Sequence, residues 1–404
     1  MKNTFYDVNL QINVPKRSID VEMTINYTIL EEKTDKIEFL LYERLEIDYL
    51  EGKNIDNYQF DPQPETRKFL PEAGNLTIYL KETAHLGDQI ELRLKYDGQV
   101  GILKPSGDNR LTESWVELGI YLPWFPWNIQ MMETQNIMYN IDLDITEDYQ
   151  VISSGKIIQE DGYWHLENDL PTIDIVIMAS KDLKKKSINK NDMLLNVYYT
   201  TTENKIADYI LENSWETLSI FNDWFGETCN NQISFIIAPG GSYARPTFIK
   251  LRQQSDSDYK ENFEDNFRLI AHEIGHLWWL NAPVSSWEDW LNEAFAEYSA
   301  RMAIRRKYGQ DRFEQIMERT IERCKDLPPI RGIDRNHKDI KAVTYSKGCI
   351  LLYQLENELG TADFLRLLHQ ISDRKISSTA QFLECISEIG GKELANEFNQ
   401  KLSQ

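Results

Sequence analysis

The feature that most constrains the fold of this chain is a change in its hydrophobic period near residue 200. From residue 1 to about residue 186, polar and apolar residues alternate, as in the stretches 20–29 and 89–96. This period of two is typical of half-buried strands in antiparallel sheets. Beyond residue 200 the period becomes 3.6, which indicates helices. The sequence therefore predicts an α+β, multidomain protein in which an all-β sandwich or saddle of sheets, residues 1–186, precedes a mainly helical domain, residues 187–404.

Glycines mark the ends of several predicted helices. Gly360 and the pair Gly390-Gly391 follow periodic segments, as glycines at helix C-termini do.

The charged run from Lys181 to Lys190 is interpreted as a solvated connection between the two domains. Strands are predicted at Leu194 to Thr200 and Gln232 to Ala238, and helices at Glu203 to Phe225, Asn262 to Trp279, Trp290 to Tyr308, Tyr345 to Leu359, Ala362 to Ile371 and Ala380 to Ile389.

Charge and cysteine usage narrow the class of partner. The chain has 44 Lys and Arg against 65 Asp and Glu, a net charge of −21, so it lacks the cationic field that binding to nucleic-acid phosphates requires. This acidity suits a cationic or basic-peptide partner, or serves solubility alone. The four cysteines show no Cys-x-x-Cys spacing and are interpreted as reduced core thiols: Cys229, Cys324, Cys349 and Cys385.

No targeting or membrane segment is recognisable. The stretch from Met1 to Val14 alternates polar and apolar residues, whereas a signal peptide carries a block of about 7–15 apolar residues. No run approaches the roughly 20 apolar residues of a membrane-spanning helix. We therefore expect a cytoplasmic protein without a membrane partner, and the sequence leaves its oligomeric state open.

The residues that carry chemistry are His272-Glu273-Ile274-Gly275-His276, which lie in a helical pattern. Histidines at positions i and i+4 share a helix face, about 6 Å apart at Cβ, so both imidazoles can reach one tetrahedral ion. The alternative is a pair of core histidines with ordinary hydrogen-bond partners. Because the chain has only six histidines, chance seldom produces this arrangement, and we expect a zinc site.

A catalytic zinc needs a third protein ligand and one open position. Glu293, seventeen residues after His276, lies in a second amphipathic helical pattern that could pack against the first. The alternative for Glu293 is an exposed helical carboxylate. Glu297 is one turn further along the same face, where its carboxylate could accept a hydrogen bond from a ligand imidazole or could be a surface charge.

Glu273 follows the first histidine and need not bind the metal. Its expected role is to take a proton from a water activated by zinc and to deliver it to the leaving amine. A glutamate beside two histidine ligands indicates hydrolysis rather than a structural zinc. Redox chemistry is disfavoured, because the sequence shows no thiolate cluster, haem motif or Gly-x-Gly-x-x-Gly pattern.

In these motifs the chain resembles the zinc aminopeptidases typified by aminopeptidase N and leukotriene A hydrolase, which are gluzincin metallopeptidases. The resemblance runs along nearly the whole chain and implies a β domain followed by a thermolysin-like catalytic domain with one zinc. Its most specific elements are His272-Glu273-x-x-His276 and Trp290-Leu291-Asn292-Glu293. A third, Thr344-Tyr345-Ser346-Lys347-Gly348, is similar to the family's Tyr-x-Lys-Gly segment.

The resemblance assigns a role to each matching residue. It implies that His272, His276 and Glu293 are the zinc ligands. Glu273 would be the general base, and Tyr345 would donate a hydrogen bond to the tetrahedral oxyanion. Without the resemblance, Tyr345 is one of 20 tyrosines, most of which are packing residues.

The sequence departs from the family in the segment from Pro239 to Phe248, which occupies the place of the family's Gly-Ala-Met-Glu-Asn signature. The signature's glutamate holds the free α-amine of the substrate and is replaced here by Tyr243. Arg245 reverses the local charge and could hold a substrate carboxylate, or it is an exposed arginine at a strand edge. With Gly240 and Gly241, these residues are the candidate substrate-binding residues of the segment.

Two differences in length accompany this change. The spacing from His276 to Glu293 is two residues shorter than is usual in the family, which shortens the loop 281–289 and is expected to leave both helices in place. The chain also ends at Gln404 without the large helical domain that roofs the family's active site. We therefore expect a more open cleft.

Another acid could replace the missing amine anchor. In the family, the region of the aromatic-rich stretch 114–127 sends a loop toward the cleft, where Glu113 or Glu117 could serve, although these aromatics could instead form core. We expect a zinc metallopeptidase that does not require a free N-terminus, can cleave within peptides and mildly favours basic ones. The alternatives are an ordinary aminopeptidase with a rearranged anchor, a peptide-binding scaffold with reduced catalysis, and hydrolysis of a non-peptide substrate.

Overall fold

The computed structural model describes residues 3–64, 70, 72–100, 110–134, 136–146, 148–228 and 230–404. Cys229 lies outside these residues, and Cys324, Cys349 and Cys385 are buried free thiols. The chain separates into two compact units. The first comprises Met1–Lys184, Ala238–Gly241 and Arg245–Phe248, and the second comprises Lys185–Ile237, Ser242–Ala244 and Ile249–Gln404.

The first unit is built from β-sheets, as the alternating pattern predicts. In β2, for example, Val21, Met23 and Ile25 are buried, whereas the alternating residues Asp20 and Glu22 are exposed. The strands form sheets of seven, four and three strands, in the orders β12-β13-β10-β1-β2-β7-β4, β11-β14-β9-β8 and β3-β6-β5. The elements are β1 (Thr4–Asn13), β2 (Ser18–Thr28), β3 (Lys33–Tyr42), β4 (Leu45–Glu51), β5 (Ile55–Asp61), β6 (Ala73–His85), β7 (Gln89–Gln99), β8 (Arg110–Leu111), β9 (Val116–Leu118), the helix α1 (Ile129–Thr134), β10 (Ile137–Asp144), β11 (Gln150–Ser153), β12 (Lys156–Glu160), β13 (Tyr163–Thr172) and β14 (Ile177–Ser180).

One strand pair of the first unit departs from the antiparallel expectation. Strands β1 and β10 run parallel, with Thr4 opposite Ile137 and Gln11 opposite Asp144. Parallel neighbours need a long crossover rather than a hairpin, and here most of the unit intervenes between the two strands. A period of two reports which side chains face the core but not the direction of the neighbouring strand, so the sequence pattern could not show this pairing.

The second unit combines one sheet with most of the helices. Its five strands have the order β15-β16-β17-β19-β18, and β16 and β17 run parallel, with Leu194 opposite Gln232. The elements are β15 (Lys184–Lys190), β16 (Met193–Tyr199), α2 (Asn204–Phe225), β17 (Gln232–Ala238), β18 (Tyr243–Arg245), β19 (Phe248–Arg252), α3 (Asp256–Glu261), α4 (Phe263–Gly275), a 3₁₀ turn (Trp287–Asp289), α5 (Trp290–Tyr308), α6 (Gln310–Arg323), a π-helix (Ala342–Lys347), α7 (Gly348–Leu359), α8 (Thr361–Arg374), α9 (Thr379–Gly390) and α10 (Lys392–Lys401).

The expectation that the run from Lys181 to Lys190 is only a solvated connection is wrong. Most of this run, Lys184–Lys190, forms the strand β15 at the edge of the second unit's sheet. Its side chains are mainly exposed, and a lysine-rich, exposed strand is typical of sheet edges because it discourages pairing with other chains. Charge alone therefore does not separate a connection from an edge strand.

The predicted helix from Asn262 to Trp279 ends early, at Gly275. The backbone amides of Leu277 and Trp278 bond to the carbonyls three residues back, of Ile274 and Gly275, each at 3.0 Å, which tightens the chain into a turn. The helices α3, α6 and α10 were not predicted. In α6 only Phe313, Ile316 and Met317 are buried, and so narrow an apolar stripe gives a weak periodic signal.

The helix α5 is not the amphipathic helix that the sequence suggested. Thirteen of its 19 residues are buried, and Trp290 and Phe295 pack against Phe382, with ring centroids 5.8 and 5.2 Å away. A helix buried on nearly all sides is central to its domain and holds its side chains rigidly. In the described ranges, none of the helices is long and apolar enough to cross a lipid bilayer.

Candidate metal centre

Two neighbouring helices, α4 and α5, bring three potential ligands together. In α4, His272 and His276 lie one turn apart, with ring centroids 4.9 Å apart and ring planes at 89°. The Nε2 atoms of His272 and His276 lie 3.3 and 3.6 Å from Oε2 of Glu293 on α5. In the part of the chain that the structure describes, these three side chains are the one group of His, Cys, Asp or Glu close enough to share a metal, with all ligand atoms within 4.8 Å of one another.

Small residues allow the two helices to approach this closely. A Cβ placed on Gly275 would lie 3.1 Å from Cα and 3.3 Å from Cβ of Ala296, tighter than ordinary van der Waals contact. Gly275 therefore has a packing role within the histidine motif, because a larger residue would push α5 and its Glu293 away from the imidazoles.

The oxygens that face each Nδ1 indicate which ring nitrogens are free for a metal. Nδ1 of His276 lies 3.0 Å from the carbonyl oxygen of Trp279 and donates to it. Nδ1 of His272 lies 3.3 Å from Oε2 of Glu297. A proton on each Nδ1 leaves the Nε2 lone pairs directed toward Glu293, the tautomer that a metal requires.

The carboxylates around the three potential ligands shift the pKa of these groups. Burial alone would lower the pKa of His272, but the carboxylates of Glu293 and Glu297 overcome this effect and raise it to about 10. Burial likewise opposes ionisation of Glu293, yet His276 and His272 together lower the pKa of its carboxyl. In the metal-free protein a proton on the imidazole supplies the positive charge that these carboxylates favour, and a bound cation would supply it instead.

The donor set fits zinc. Two imidazole nitrogens and one carboxylate oxygen are the ligands of many catalytic zinc sites. Among the described residues, Glu293 Oε2 is a buried oxygen that accepts no hydrogen bond, although such groups are normally satisfied in folded proteins. A buried oxygen that faces two Nε2 atoms and accepts no hydrogen bond has the environment of a metal ligand. His276 and Glu293 are only partly buried, which leaves an approach for substrate.

Glu273 and Tyr345 lie beside the three ligands. Glu273 is 5% exposed on α4, and its charge contributes to the raised pKa of both His272 and Tyr345. The Tyr345 ring stacks on the His272 imidazole, with centroids 5.3 Å apart and planes at 11°. Burial and the neighbouring Glu293 carboxylate raise the pKa of Tyr345 far above its ordinary value of 10, so its hydroxyl keeps a proton and can donate it in a hydrogen bond.

Tyr345 is carried by a π-helix, a rare conformation that is frequent at functional sites. Within the π-helix, Lys347 anchors the turn, because its Nζ donates to the carbonyl oxygens of Leu327 and Pro328, each at 2.9 Å, and of Gln404 at 2.6 Å. At the start of α7, a Cβ on Gly348 would lie 2.5 Å from Cβ of Ala294. The Tyr-x-Lys-Gly segment thus places Tyr345 against the helix that carries Glu293.

The shortened loop 281–289 is fixed to α5 by Asn292. The side chain of Asn292 accepts from the amide of Ala282 at 3.0 Å and donates to its carbonyl at 2.9 Å. It also donates to Oδ1 of Asp289 at 2.9 Å, whose Oδ2 pairs with Arg335 at 2.8 Å. Because one side chain ties both ends of the loop to the helix, the shorter spacing leaves α4 and α5 in contact.

The segment from Pro239 to Phe248 differs from the expectation for Arg245. Arg245 is not exposed at a strand edge: it is 5% exposed and its Nη2 lies 2.7 Å from Oδ2 of Asp174. The expectation of an exposed arginine is therefore wrong, because the pair is buried in the first unit. Burial raises the pKa of Asp174, and the Arg245 cation opposes that rise. Gly240 has φ of +95°, a conformation that favours glycine, and Gly241 is exposed.

Tyr243, which replaces the signature glutamate, is half-buried in the second unit. The Nζ of Lys250 lies 5.3 Å from the centroid of the Tyr243 ring, and Lys250 is fully buried. The surroundings of Tyr243 therefore include a cation.

The two glutamates proposed as substitute anchors differ in burial. Glu113 is exposed, while Glu117 is 1% exposed and accepts a hydrogen bond from Nε1 of Trp115 at 3.2 Å. Both belong to the first unit, as do Gly240, Gly241 and Arg245. The structure thus gathers one set of predicted residues in the second unit: His272, Glu273, His276, Glu293, Glu297 and Tyr345.

Two arginines near the ligands were missed. Arg268 Nη1 lies 2.7 Å from Oε2 of Glu297, and Arg301 Nη2 lies 2.7 Å from Oε1 of the same carboxylate. Glu297 is 5% exposed, so it is a buried, paired charge. The spacing of Glu297 and Arg301 at i and i+4 is a signal that could have found one of the two arginines.

The second unit also matches a known domain. Residues 240–400 match the family model of the peptidase family M1 domain. Aminopeptidase 2 of Candida albicans is 20% identical over 437 residues, covering 98% of this chain and 46% of that protein. Aminopeptidase 2, mitochondrial, of Saccharomyces cerevisiae is 19% identical over 298 residues, covering 67% and 30%. The chain spans less than half the length of these curated relatives.

Solved structures share the fold of the whole chain. A two-domain M1 zinc metallopeptidase mutant bound to L-arginine has a TM-score of 0.73 at 16% identity, covering 100% of this chain and 94% of that one. An M1 zinc metallopeptidase mutant of Deinococcus radiodurans bound to a Tyr-Ser-Ala substrate has a TM-score of 0.71 at 15% identity, with the same coverage. Residues 240–400 therefore carry a peptidase family M1 domain. These matches confirm the resemblance seen in the motifs and the expected order of a β domain followed by a mainly helical domain.

Proposed function

We propose that this protein is a zinc-dependent metallopeptidase that hydrolyses peptide bonds and binds one zinc per chain. The observation that carries the proposal is the convergence of His272 Nε2 and His276 Nε2 on Glu293 Oε2, at 3.3 and 3.6 Å, beside Glu273 and Tyr345. In support, the two fungal relatives are named as aminopeptidases, and the Deinococcus radiodurans protein is one that takes a tripeptide substrate.

Each residue of the centre has a distinct task in this proposal. When bound by His272, His276 and Glu293, zinc supplies a Lewis acid that activates water and polarises the scissile carbonyl. Glu273 takes a proton from water as the water oxygen bonds to the carbonyl carbon, and it returns that proton to the leaving amine as the C–N bond breaks. Tyr345, which stays protonated, donates a hydrogen bond to the oxyanion in between.

Peptide hydrolysis by zinc-loaded protein tests this assignment. We expect Glu273→Gln to bind zinc like the wild type and to lower kcat by about 10²–10⁴-fold, the usual cost of losing a general base. Tyr345→Phe removes one oxyanion donor and should also lower kcat at unchanged zinc content. A wild-type protein that binds zinc but cleaves no member of a mixed peptide library would point instead to a peptide-binding scaffold or a non-peptide substrate.

We further propose that the enzyme does not require a free N-terminus and can cleave within peptides. Recognition of an α-ammonium in a partly buried cleft needs a carboxylate partner. At the position of the signature glutamate stands Tyr243, whose ring carries no formal charge and already has the buried Lys250 cation 5.3 Å from its centroid. The positive charge of Lys250 opposes the approach of an ammonium group to this ring. The net charge of −21 supports a mild preference for basic peptides.

A matched pair of peptides, one N-acetylated and one free, tests this specificity. If no amine anchor exists, acetylation should change kcat/KM by less than about 10-fold. Loss of more than about 10³-fold would show that a carboxylate elsewhere has taken over the amine site.

The second candidate is an ordinary aminopeptidase with a rearranged anchor. It is favoured by the two fungal relatives, which are named as aminopeptidases, and the buried carboxylate of Glu117 is the first acid to test as its anchor. In that case Glu117→Gln should lower kcat/KM for free peptides and leave acetylated peptides unaffected. Glu113→Gln, at the exposed neighbouring acid, is the matched control and should change neither.

A further inference from the structure

We propose that Arg268 and Arg301 are positioning residues for the metal site: by clamping the Glu297 carboxylate from two sides, they orient the His272 imidazole and set the affinity for zinc. This inference rests on the proposed zinc site but concerns residues that the family motifs do not include. It makes zinc affinity, rather than the chemical step, the property that the two arginines control.

Both oxygens of Glu297 are committed to separate guanidinium groups. Oε1 pairs with Nη2 of Arg301 at 2.7 Å, and Oε2 pairs with Nη1 of Arg268 at 2.7 Å. The carboxylate therefore cannot rotate about its last bond without breaking a charge-assisted hydrogen bond. Its Oε2 lies 3.3 Å from Nδ1 of His272, so the paired carboxylate faces the edge of the ring that points away from Glu293.

The clamp joins the same two helices that supply the ligands. Arg268 precedes His272 by one turn of α4, and Arg301 follows Glu297 by one turn of α5. His272 Nε2 reaches α5 at Glu293, 3.3 Å away, and His272 Nδ1 reaches α5 at Glu297, also 3.3 Å away. Both nitrogens of the His272 imidazole therefore face carboxylates of the same rigid helix, α5.

The local charges show why two arginines are needed. Glu273 lies on α4, and Glu293 and Glu297 lie on consecutive turns of α5. Glu273 and Glu297 are each 5% exposed. A buried carboxylate that loses its partner is costly and moves or takes up water. Without the guanidinium groups, repulsion among the three carboxylates would turn Glu297 away from His272 and remove the oxygen that faces Nδ1.

Arg305 provides a matched control on the same helix. It lies one turn beyond Arg301 and pairs with the buried carboxylate of Glu356, with Nη2–Oε1 at 2.7 Å. Glu356 also accepts from the hydroxyls of Tyr298 and Thr361 and contacts no ligand of the proposed site. Arg305→Met therefore removes a buried ion pair of α5 while leaving the Glu297 clamp intact.

The experiment measures zinc dissociation constants by competition with a chelator, without substrate, for the wild type, Arg268→Met, Arg301→Met and Arg305→Met. Changes beside a ligand histidine weaken metal binding by about 10–100-fold, and we expect each clamp variant to fall near the lower end of that range. Arg301→Lys, which keeps one N–O contact, should recover part of the loss. Arg305→Met should lower thermal stability and leave zinc affinity within about twofold.

Cobalt(II) substitution gives a readout that a purely structural role would not move. The clamp variants should show an altered visible d–d spectrum of bound Co(II), because the orientation of His272 changes, and Arg305→Met should match the wild type. Equal zinc affinity and identical Co(II) spectra in all variants would overturn the inference while leaving the peptidase proposal standing. A similar loss of affinity in Arg305→Met would also overturn it. A wild type that takes up no zinc would overturn both.

Discussion

The metal centre and the segment from Pro239 to Phe248 are built in opposite ways. At the metal centre, His272 and His276 are aligned by one turn of a single helix, and Glu293 comes from a neighbouring helix seventeen residues on. In the segment, Arg245 is held by Asp174, 71 residues earlier in the chain. The comparison teaches that local helical geometry aligns the two histidines, whereas a long-range contact holds the segment from Pro239 to Phe248, named the recognition segment below after its proposed role.

Removing a ligand should produce the largest effect and separate the two regions completely. We expect His276→Ala to reduce bound zinc from one per chain to near zero and to abolish peptide hydrolysis, because two ligands do not retain a catalytic zinc. Tyr243→Phe, in the recognition segment, should keep one zinc per chain. Elemental analysis of both purified proteins decides the matter, and unchanged stoichiometry in His276→Ala would remove that histidine from the ligand set.

Sequence reasoning reached the metal centre because its geometry is local. The bounds of α5, Trp290–Tyr308, were predicted to the residue, and the spacing of His272 and His276 was enough to place both on one face. The sequence did not predict the pairing of Arg268 with Glu297 or the backbone contacts of Lys347, because each joins residues on different helices or in distant parts of the chain. Arg245 was misjudged for the same reason: its partner Asp174 has no sequence signal linking the two.

The glycine of the Tyr-x-Lys-Gly segment tests how closely the chemistry depends on helix packing. A methyl group on Gly348 would lie 2.5 Å from Cβ of Ala294, so we expect Gly348→Ala to cost about 1–3 kcal/mol of stability through overpacking. The π-helix with Tyr345 would shift with it, and misplacement by about 1 Å can lower turnover by up to about 10²-fold.

Exchanging the two residues provides the control. In Gly348→Ala combined with Ala294→Gly, the methyl group moves to the facing helix, and part of both stability and kcat should return. Thermal unfolding and steady-state kinetics on zinc-loaded protein measure the two effects. Full activity in the single variant would show that Tyr345 does not depend on this contact.

The pH dependence of zinc binding sharpens the electrostatic side of the metal centre. The pKa of His272 in the metal-free protein is about 10, so below that pH the metal must displace a proton from this imidazole. Zinc affinity should rise by about tenfold per pH unit between pH 6.5 and about 9, with one proton released per zinc.

The raised pKa of His272 also makes the stability of the metal-free protein depend on pH. Because the pKa of His272 rises from 6.5 when unfolded to about 10 when folded, its contribution is fully present below pH 6.5 and is lost as the pH rises through about 10. For zinc binding, titration calorimetry in buffers of different ionisation enthalpy counts the protons released per zinc. A pH-independent zinc affinity across this range would contradict the described electrostatics.

The smallest effect is expected in the recognition segment, where restoring a carboxylate meets an opposing charge. Tyr243→Glu returns the acid of the family signature, and a half-exposed pair with a substrate ammonium is worth about 1 kcal/mol or less. Lys250, whose Nζ lies 5.3 Å from the Tyr243 ring centroid, would neutralise much of the new charge. We therefore expect the preference for a free over an acetylated peptide to rise by at most about fivefold.

Adding Lys250→Met to Tyr243→Glu removes the competing cation and should raise the preference further, at unchanged zinc content. If neither variant changes the ratio of the two kcat/KM values, position 243 does not contact the substrate amine, and a remote anchor such as Glu117 becomes the better explanation of any N-terminal selectivity.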